Sequence, residues 1–199
     1  MSWESEFREI LSGDLLTAAR ALLGVDLVKG EIRARIVETE AYGDDPGSHA
    51  HRGITARTKV MFDRPGLAYV YFTYGTHWML NVTAQPQGTA GAILIRAAEP
   101  REGLEEMHSR RPKASRTQDL LSGPGKLAQA LGLNSVYYGA DLLDPKSELR
   151  LQHGATLREV LVGPRIGLAI GKGDDLPWRF ADADKLEYVS RPHPSPGPL

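Results

Sequence analysis

The chain has 199 residues and no cysteine, and its 24 Lys and Arg residues nearly balance 25 Asp and Glu residues, for a formal net charge of −1. This length fits one compact domain, and the lack of cysteine excludes disulfides, thiolate zinc sites and a cysteine nucleophile. No apolar run approaches the roughly 20 residues of a membrane span, and residues 1–13 lack the apolar core of a signal peptide, so we expect a soluble, cytoplasmic protein away from membranes.

The first third of the chain predicts a helix, a strand and a long loop. Residues 14–23 have apolar positions at helical spacing, with Asp14 as N-cap and Gly24 as the stop. Residues 33–42 alternate between apolar and polar side chains, which indicates a strand. Residues 43–59 are polar and rich in glycine, and loops of this length in compact domains are usually functional.

The middle of the chain predicts a β-hairpin. Residues 67–73 and 77–84 are rich in Val, Tyr, Phe and Thr, and Gly75 lies in the turn between them. Residues 91–97 predict a further strand. Pro100 then predicts the start of a helix over 100–110, since its first turns are acidic.

The last third predicts a helix over 124–131 that ends at Gly132, and strands over 148–152 and 164–170. Residues 191–199 contain four prolines, so we expect a flexible tail after a single domain of residues 1–190. Because helices and strands do not alternate regularly, the sequence favours an α+β fold with a largely antiparallel sheet.

Two acidic side chains and a tyrosine share one face of the strand over 33–42. The two-residue period places Glu38, Glu40 and Tyr42 on this face, and Val37 and Ala41 on the opposite face toward the core. The carboxylates and the ring form either the floor of a pocket or an ordinary solvent-facing rim. The strand by itself favours the rim.

Aromatic residues are concentrated in the predicted hairpin. Most of these rings are expected in the core or in cross-strand pairs, but Tyr74 lies at the turn, where a ring is difficult to bury. An exposed ring there would wedge between base pairs or stack on a base. A ring folded back on the hairpin fits the sequence equally well.

Charge is distributed unevenly along the chain. Residues 46–96 hold five basic and one acidic residue, and so do residues 107–126, whereas residues 1–45 hold five basic and ten acidic residues. The two basic segments would form a footprint for a phosphate backbone if they shared a face. Solvated surface is the more common role of such charge runs.

Three histidines and one strand arginine are candidates for metal or ion-pair sites. His49, His51 and His77 have no acidic partner at a familiar ligand spacing, so no metal site is predicted. Arg96 ends an apolar strand and needs a carboxylate partner, for which Glu40 is one candidate.

Five segments, in this order and spacing, resemble the alkyladenine (3-methyladenine) DNA glycosylases. They are RIVETEAYGDDPGSHAHRG, TKVMFDRPGLAYVYFTYGTHWMLNV, GAILIRAAEP, LLSGPGKLAQALG and PRIGLAIG. The resemblance runs from about Leu11 to Val189. It implies a single mixed α+β domain, in which a curved antiparallel sheet carries flanking helices and a protruding hairpin, with no cofactor and no metal.

The resemblance also implies a reaction. The enzyme would flip an alkylated purine, such as 3-methyladenine or 7-methylguanine, out of duplex DNA and hydrolyse its N-glycosidic bond, leaving an abasic site. Hypoxanthine and ethenoadenine are further candidate bases. Glu40 would be the general base, and Arg96 would help to hold the attacking water. The partner is double-stranded DNA with a damaged purine, and the protein is expected to be a monomer.

The resemblance assigns the remaining site residues to the base and to the duplex. Tyr42 would stack on one face of the flipped base, His49 and Tyr71 would close the other face, and Asn81 would discriminate against the guanine amino group. Tyr74 would fill the gap left in the duplex. The basic residues expected to contact DNA are Arg52, Arg57, Lys59 and Lys126.

Two other functions fit the basic segments or the pocket residues. A non-enzymatic nucleic-acid-binding domain would use the same basic residues, but it gains nothing from a carboxylate such as Glu40 that repels phosphates. A hydrolase for a small nucleoside would need neither two basic segments nor an exposed tyrosine at a hairpin tip. Binding to duplex DNA that weakens steeply with salt separates these alternatives.

Overall fold

The computed structural model describes residues 2–73 and 75–190. The helices are α1 (Trp3–Ser12), α2 (Leu15–Ala21), α3 (Leu104–Arg110) and α4 (Pro124–Leu131). The strands are β1 (Asp26–Lys29), β2 (Ile32–Tyr42), β3 (Ala68–Thr73), β4 (His77–Thr83), β5 (Ala92–Glu102), β6 (Leu149–Gln152), β7 (Val160–Gly163) and β8 (Arg179–Asp182). Within these residues, no helix is long and apolar enough to cross a membrane.

All described strands join one curled antiparallel sheet. Its main order is β3-β4-β5-β2-β1-β6, and β8 pairs with both β2 and β7. Strand β2 is the centre of this arrangement, because β5 lies along one edge while β1 and β8 share the other. The protein is therefore a single mixed α+β domain, as the sequence predicted.

The two faces of the sheet have different environments. On β3 to β5, alternate residues pack into the main apolar core, among them Val70, Leu80, Val82, Ile93 and Ile95. Helices α1, α2 and α4 also contribute to this core, for example through Leu11, Ala18 and Leu127. Because strand side chains alternate between faces, the intervening residues of the same strands point to the opposite face of the sheet.

Several elements match the prediction closely. Asp14 caps α2 by accepting a hydrogen bond from the Thr17 N–H at 2.8 Å. The hairpin forms as expected, and Gly75 at its turn has a φ of 65°. Helix α4 has the predicted bounds. Helix α1 and the short strands β1, β7 and β8 were not predicted.

The prediction that a helix begins at Pro100 is wrong. Strand β5 continues through Pro100 to Glu102, and α3 begins only at Leu104, after Gly103 with a φ of 76°. Pro100 lies opposite Ala34, beside a register shift between β2 and β5, so its missing N–H disturbs the ladder least there. The acidic first turn belongs to a helix that starts later.

The strand expected over 164–170 is also wrong. Strand β7 ends at Gly163, and residues 164–173 form a loop. Gly167, Gly171 and Gly173 have φ values of 83°, 76° and 71°, which extended strands do not use. The predicted tail 191–199 lies outside the described residues, so the domain boundary at 190 remains a prediction.

Candidate active site

A cavity of about 300 Å³ opens on the face of the sheet opposite the main apolar core. This size is at the small end for ligand pockets and suits one flat ring system. The lining residues are Tyr42, Gly47, His49, Met61, Tyr69, Tyr71, Thr73, Met79, Asn81, Ala92, Leu94, Arg96, Pro124, Ile166, Gly167 and Leu168. The cavity therefore combines aromatic and apolar walls with a few polar groups.

The cavity brings together most of the site residues predicted from the sequence. Tyr42, His49, Tyr71, Asn81 and Arg96 all line it. The strand period explains this, because these residues occupy the positions of β2 to β5 that alternate with core residues, apart from His49, which comes from the loop after β2. Five separate segments thus converge on one space.

Glu40 lies directly behind the cavity wall. Its side chain is fully buried, and all three of its hydrogen-bond donors belong to lining residues. Oε1 accepts from the Ile166 N–H at 2.7 Å, and Oε2 accepts from the Tyr42 hydroxyl at 2.7 Å and from Arg96 Nη1 at 3.1 Å. The interpretation of Glu40 as a solvent-facing rim residue is therefore wrong.

Arg96 lies between two buried carboxylates. Its Nη1 donates to Glu40, and its Nε lies 3.7 Å from Glu38 Oε1 and 3.3 Å from Ser190 Oγ. Burial lowers the pKa of Arg96, but the charges of Glu40 and Glu38 outweigh this and raise it overall. The expected pairing of Arg96 with a carboxylate is present, with a second acid in addition.

Glu38 is the second acid on this face of β2, and it is also fully buried. Its Oε2 accepts from the Ser190 N–H at 2.9 Å and from the Ser190 hydroxyl at 2.6 Å, while Arg179 Nη1 lies 3.3 Å from Oε1. Burial raises the pKa of Glu38, and Arg96 and Ser190 only partly oppose this. The network connects β2, β5, β8 and the segment after it.

The expectation that Val37 faces the main core together with Ala41 is half right. Ala41 does so, but Val37 packs with Ala97, Ala181 and Val189 in a separate small cluster. The register of β2 against β5 shifts on both sides of Glu38. This irregularity changes the strand's parity at Val37 and turns Glu38 and Glu40 away from the helices.

Tyr42 connects the carboxylate to the cavity. Burial raises its pKa well above the usual value, and the neighbouring charge of Glu40 adds to the effect. The phenol therefore stays protonated and donates to Glu40. Arg165 Cζ lies 4.7 Å from the centroid of the Tyr42 ring.

His49 closes another side of the cavity. Its Nδ1 lies 3.0 Å from the Tyr69 hydroxyl, its Nε2 lies 3.2 Å from Arg57 Nη2, and its ring is edge-on to Tyr71 at 4.7 Å. Burial lowers its pKa to about 4, and the charge of Arg57 adds to this, so the ring is neutral at pH 7. His51 points elsewhere, 3.6 Å from Asp44 Oδ1.

Asn81 is buried, and its orientation is fixed by the hairpin. Its Nδ2 donates to the Tyr69 carbonyl oxygen at 3.0 Å. That bond leaves the side-chain oxygen and the second amide hydrogen for other partners. A buried amide with remaining hydrogen-bonding capacity is suited to recognising the edge of a base.

A basic groove adjoins the cavity and shares four lining residues with it: Gly47, His49, Gly167 and Leu168. Its charged and titratable lining residues are His49, His51, Arg52, Arg57 and Lys172, with no Asp or Glu among them. Lys59 and Lys126 are exposed but do not line this groove. Tyr74 lies outside the described residues.

Sequence reasoning missed the loop over 164–173. Ile166, Gly167 and Leu168 line the cavity, and Lys172 lines the basic groove. The loop contains PRIGLAIG, whose place among the five matching segments was the only signal for it. Within the described residues, no group of three or more His, Asp or Glu side chains is arranged to hold a metal ion.

Comparisons with known proteins identify the family of the chain. The family model described as methylpurine-DNA glycosylase (MPG) matches residues 9–186. Proteins named "Putative 3-methyladenine DNA glycosylase" are similar: that of Nocardia farcinica is 45% identical over 86% of this chain and 84% of its own length. The one of Chlorobaculum parvum is 46% identical over the same shares. The one of Methanocella arvoryzae is 43% identical over 88% of this chain and 90% of its own length.

An aromatic cavity backed by a carboxylate and bordered by a basic groove is the kind of site that an enzyme acting on DNA bases requires. The chain belongs to the methylpurine-DNA glycosylase family and is a DNA repair glycosylase, a hydrolase that takes DNA as its substrate. This membership decides against the two alternatives from the sequence, a non-enzymatic binding domain and a small nucleoside hydrolase.

Proposed function

We propose that this protein flips alkylated purines out of duplex DNA into the cavity and hydrolyses their N-glycosidic bond, leaving an abasic site. The observation that carries the proposal is the placement of Glu40, with Arg96 and Tyr42 as its hydrogen-bond donors, directly behind a ring-lined cavity. N3- and N7-alkylated purines are the main substrates, and hypoxanthine and ethenoadenine are further candidates.

Binding of the base rests on the rings that line the cavity. Stacking of a base on an aromatic side chain contributes roughly 1–3 kcal/mol, which offsets the few kcal/mol needed to unstack it from the duplex. Tyr42 forms one wall, and Tyr71 and His49 form another. Because alkylation at N3 or N7 gives the purine a positive charge, the π faces of these rings favour it further.

Hydrolysis needs a group that accepts a proton from water and a negative charge that stabilises the positive charge developing on the sugar. The bond from C1′ to the purine breaks with its electron pair moving to the base, and water adds to C1′ after losing a proton to Glu40. An alkylated purine leaves as a neutral molecule and needs no protonation. The Glu40 carboxylate also stabilises the oxocarbenium-like transition state.

The water reaches Glu40 between Arg96 and Ile166, the two lining residues that flank the carboxylate oxygens. Arg96 Nη1 and the Ile166 N–H keep those oxygens oriented toward the cavity wall. The enzyme acts as a monofunctional glycosylase, because strand cutting uses a Schiff-base lysine and the described lining of the cavity contains no lysine.

The duplex lies across the basic groove. Arg52, Arg57 and Lys172 are exposed on its walls, immediately beside the cavity mouth. Cations placed there bind phosphates on either side of the flipped nucleotide and release counterions. Lys59 and Lys126 provide further phosphate contacts outside the groove, and Tyr74 fills the gap in the base stack. The enzyme works as a monomer.

The proposal is tested by base release from duplex DNA carrying 7-methylguanine, with wild type compared with Glu40→Gln. The variant keeps the shape of the side chain but cannot accept the proton, so we expect release to fall by at least about 10³-fold while DNA binding persists. Glu31→Gln, an exposed Glu outside the cavity lining, is the control. Full activity of Glu40→Gln removes Glu40 as the base.

The wedge role of Tyr74 has a separate test. We expect Tyr74→Ala to bind lesion-containing duplex more weakly while binding to undamaged duplex changes little, because only the flipped complex has a gap to fill. Gel-shift titration with both duplexes measures the difference. Equal affinity of wild type and variant for lesion DNA contradicts the role.

A further inference from the structure

A buried ion pair lies behind the stacking tyrosine. The Arg165 side chain is 0% exposed and that of Asp45 is 6% exposed, and their contacts are bidentate, with Nη2 to Oδ1 at 2.6 Å and Nη1 to Oδ2 at 3.1 Å. The guanidinium also donates to the carbonyl oxygens of Ala41 at 3.0 Å and Gly173 at 3.1 Å. The pair thus joins β2 to the loop over 164–173.

The guanidinium is stacked between two aromatic rings. Arg165 Cζ lies 4.7 Å from the centroid of Tyr42 and 5.0 Å from that of Trp178. Tyr42 lines the cavity, whereas Arg165 does not. Because the guanidinium covers one face of the Tyr42 ring from the protein interior, a base that stacks on this ring from the cavity meets its other face.

We propose that the Arg165–Asp45 pair sets how strongly the pocket prefers a positively charged base over a neutral one. This inference rests on the proposed stacking of the base on Tyr42. Without Asp45, the charge of Arg165 would repel a cationic base on the other face of the Tyr42 ring. Its own cation–π interaction with the ring would also weaken the interaction of the ring with that base. Asp45 cancels that charge, so the wild-type pair leaves the ring available to an alkylated, cationic purine.

Burial makes the charge of Arg165 matter more than the charge of Arg57, the other cation that lies over a cavity ring. Arg57 Cζ also lies over a cavity ring, 4.7 Å from the centroid of Tyr71, but Arg57 is exposed and solvent screens its charge. Arg165 has no such screening, since its side chain and that of Asp45 are almost inaccessible to solvent. Asp45 is therefore the main counter-charge for Arg165 behind the Tyr42 ring.

The size of the effect follows from distance. A base stacked about 3.5 Å in front of the ring lies about 8 Å from a guanidinium that is 4.7 Å behind the centroid. With an effective dielectric constant of about 20, one uncompensated charge at this distance changes binding of a cationic base by about 10- to 30-fold. A neutral base of the same shape is affected much less.

The test compares release of 7-methylguanine, which is cationic, with release of hypoxanthine, which is neutral, from the same duplex sequence. We expect Asp45→Asn to lower the ratio of the two single-turnover rates by about tenfold, and Arg165→Gln to raise it, when the enzyme concentration is kept below the dissociation constant so that the rates report binding. A purely structural role of the pair moves both rates together and cannot shift the ratio in opposite directions. Where a rate is too slow to measure, the ratio of equilibrium dissociation constants is used.

The double variant Asp45→Asn/Arg165→Gln removes both charges, so its ratio should return to within about threefold of wild type even if both rates fall. It also serves as the test if a single variant does not fold. The matched control is the exposed bidentate pair Arg116–Asp119, whose Asp119→Asn and Arg116→Gln variants should leave the ratio unchanged.

The outcomes separate this inference from the proposed function. If wild type releases neither base, the proposed function fails. If wild type releases 7-methylguanine but the single variants leave the ratio unchanged, or shift it in the same direction, the inference about the pair is overturned alone. A double variant whose ratio departs from wild type as far as the singles overturns it as well.

Discussion

The floor behind the cavity and the groove beside it both depend on charged residues, but under opposite physical conditions. In the floor, Glu38, Glu40 and Arg96 are buried and bonded to one another. In the groove, Arg52 and Lys172 are exposed to solvent. Buried charges need partners and keep fixed geometry, whereas exposed charges are screened by salt and contribute mainly to long-range attraction.

This contrast assigns different consequences to substitutions in the two regions. Changes in the floor should alter folding stability and the rate of base release, with little dependence on salt. Changes in the groove should alter DNA affinity in a salt-dependent way and leave stability nearly unchanged. A floor variant that changes the salt dependence of DNA affinity, or a groove variant that changes folding stability, would show that the two regions are coupled.

Arg96→Met should have the largest effect. It leaves Glu38 and Glu40 buried without their shared cation, which costs about 3–5 kcal/mol of the free energy of unfolding and misplaces Glu40, the proposed proton acceptor. Chemical denaturation and single-turnover base release measure the two effects. The control is Arg101→Met on the same strand, because the Arg101 side chain is exposed and its partner Glu99 keeps Lys185 as a second cation. We expect this variant to lose at most about 1 kcal/mol. Equal losses in both variants contradict the role of burial.

Ser190→Ala should have the next largest effect. The hydroxyl donates to Glu38 Oε2 and accepts from Arg96 Nε, so its removal leaves a buried carboxylate and a guanidinium each short of one partner. We expect a loss of about 1–3 kcal/mol in stability and slower base release at unchanged KM. Ser109→Ala, which removes one exposed hydroxyl bond, is the control. An unchanged rate would limit Ser190 to a structural role.

Lys172→Ala tests the groove. We expect DNA affinity to fall severalfold, and the slope of log affinity against log salt to decrease by about 1, for damaged and undamaged duplex alike. Thermal stability should stay the same. Lys146→Ala, an exposed lysine outside the groove, should change neither affinity nor slope. A lesion-specific loss in Lys172→Ala places this lysine at the base instead.

The smallest effect concerns the pH dependence of His49, which lies between the two regions. Its folded pKa, about 4, is below the ordinary value of 6.5, so the unfolded chain binds the proton more readily between these values. The stability that neutral His49 contributes is present above pH 6.5 and is lost as pH falls toward 4. An NMR titration, with the signal assigned by His49→Gln, should give a midpoint near pH 4. A midpoint near 6.5 contradicts this.

The same division explains what the sequence predicted. Features that depend on residues close together in the sequence were predicted correctly, as the hairpin and α4 show. The cavity residues Tyr42, His49 and Tyr71 were identified from motifs in a fixed order. Strand alternation placed Glu40 on the correct face but did not indicate its burial. Burial depends on β8 and the segment after it, which lie about 140 residues further along the chain.

Partners at long sequence separation gave no local signal. Asp45 and Arg165 are 120 residues apart, and nothing in either segment pointed to the other residue. The strand predicted over 164–170 is part of the loop over 164–173, because the glycine conformations that break the strand are visible only in the structure. The helix predicted over 100–110 was wrong because proline is common at the first position of helices but also fits at strand irregularities.

The contact of Ser190 with Glu38 also has a consequence for synthesis. A nascent polypeptide that has emerged only as far as β5 already contains both acids and Arg96, but it lacks the hydroxyl and the Arg179 side chain that match them. Because domains fold as units during translation, the buried network around Glu38 and Arg96 is completed only after residue 190 has left the ribosome. Ribosome-bound intermediates shorter than this therefore lack two of the hydrogen-bond donors of Glu38.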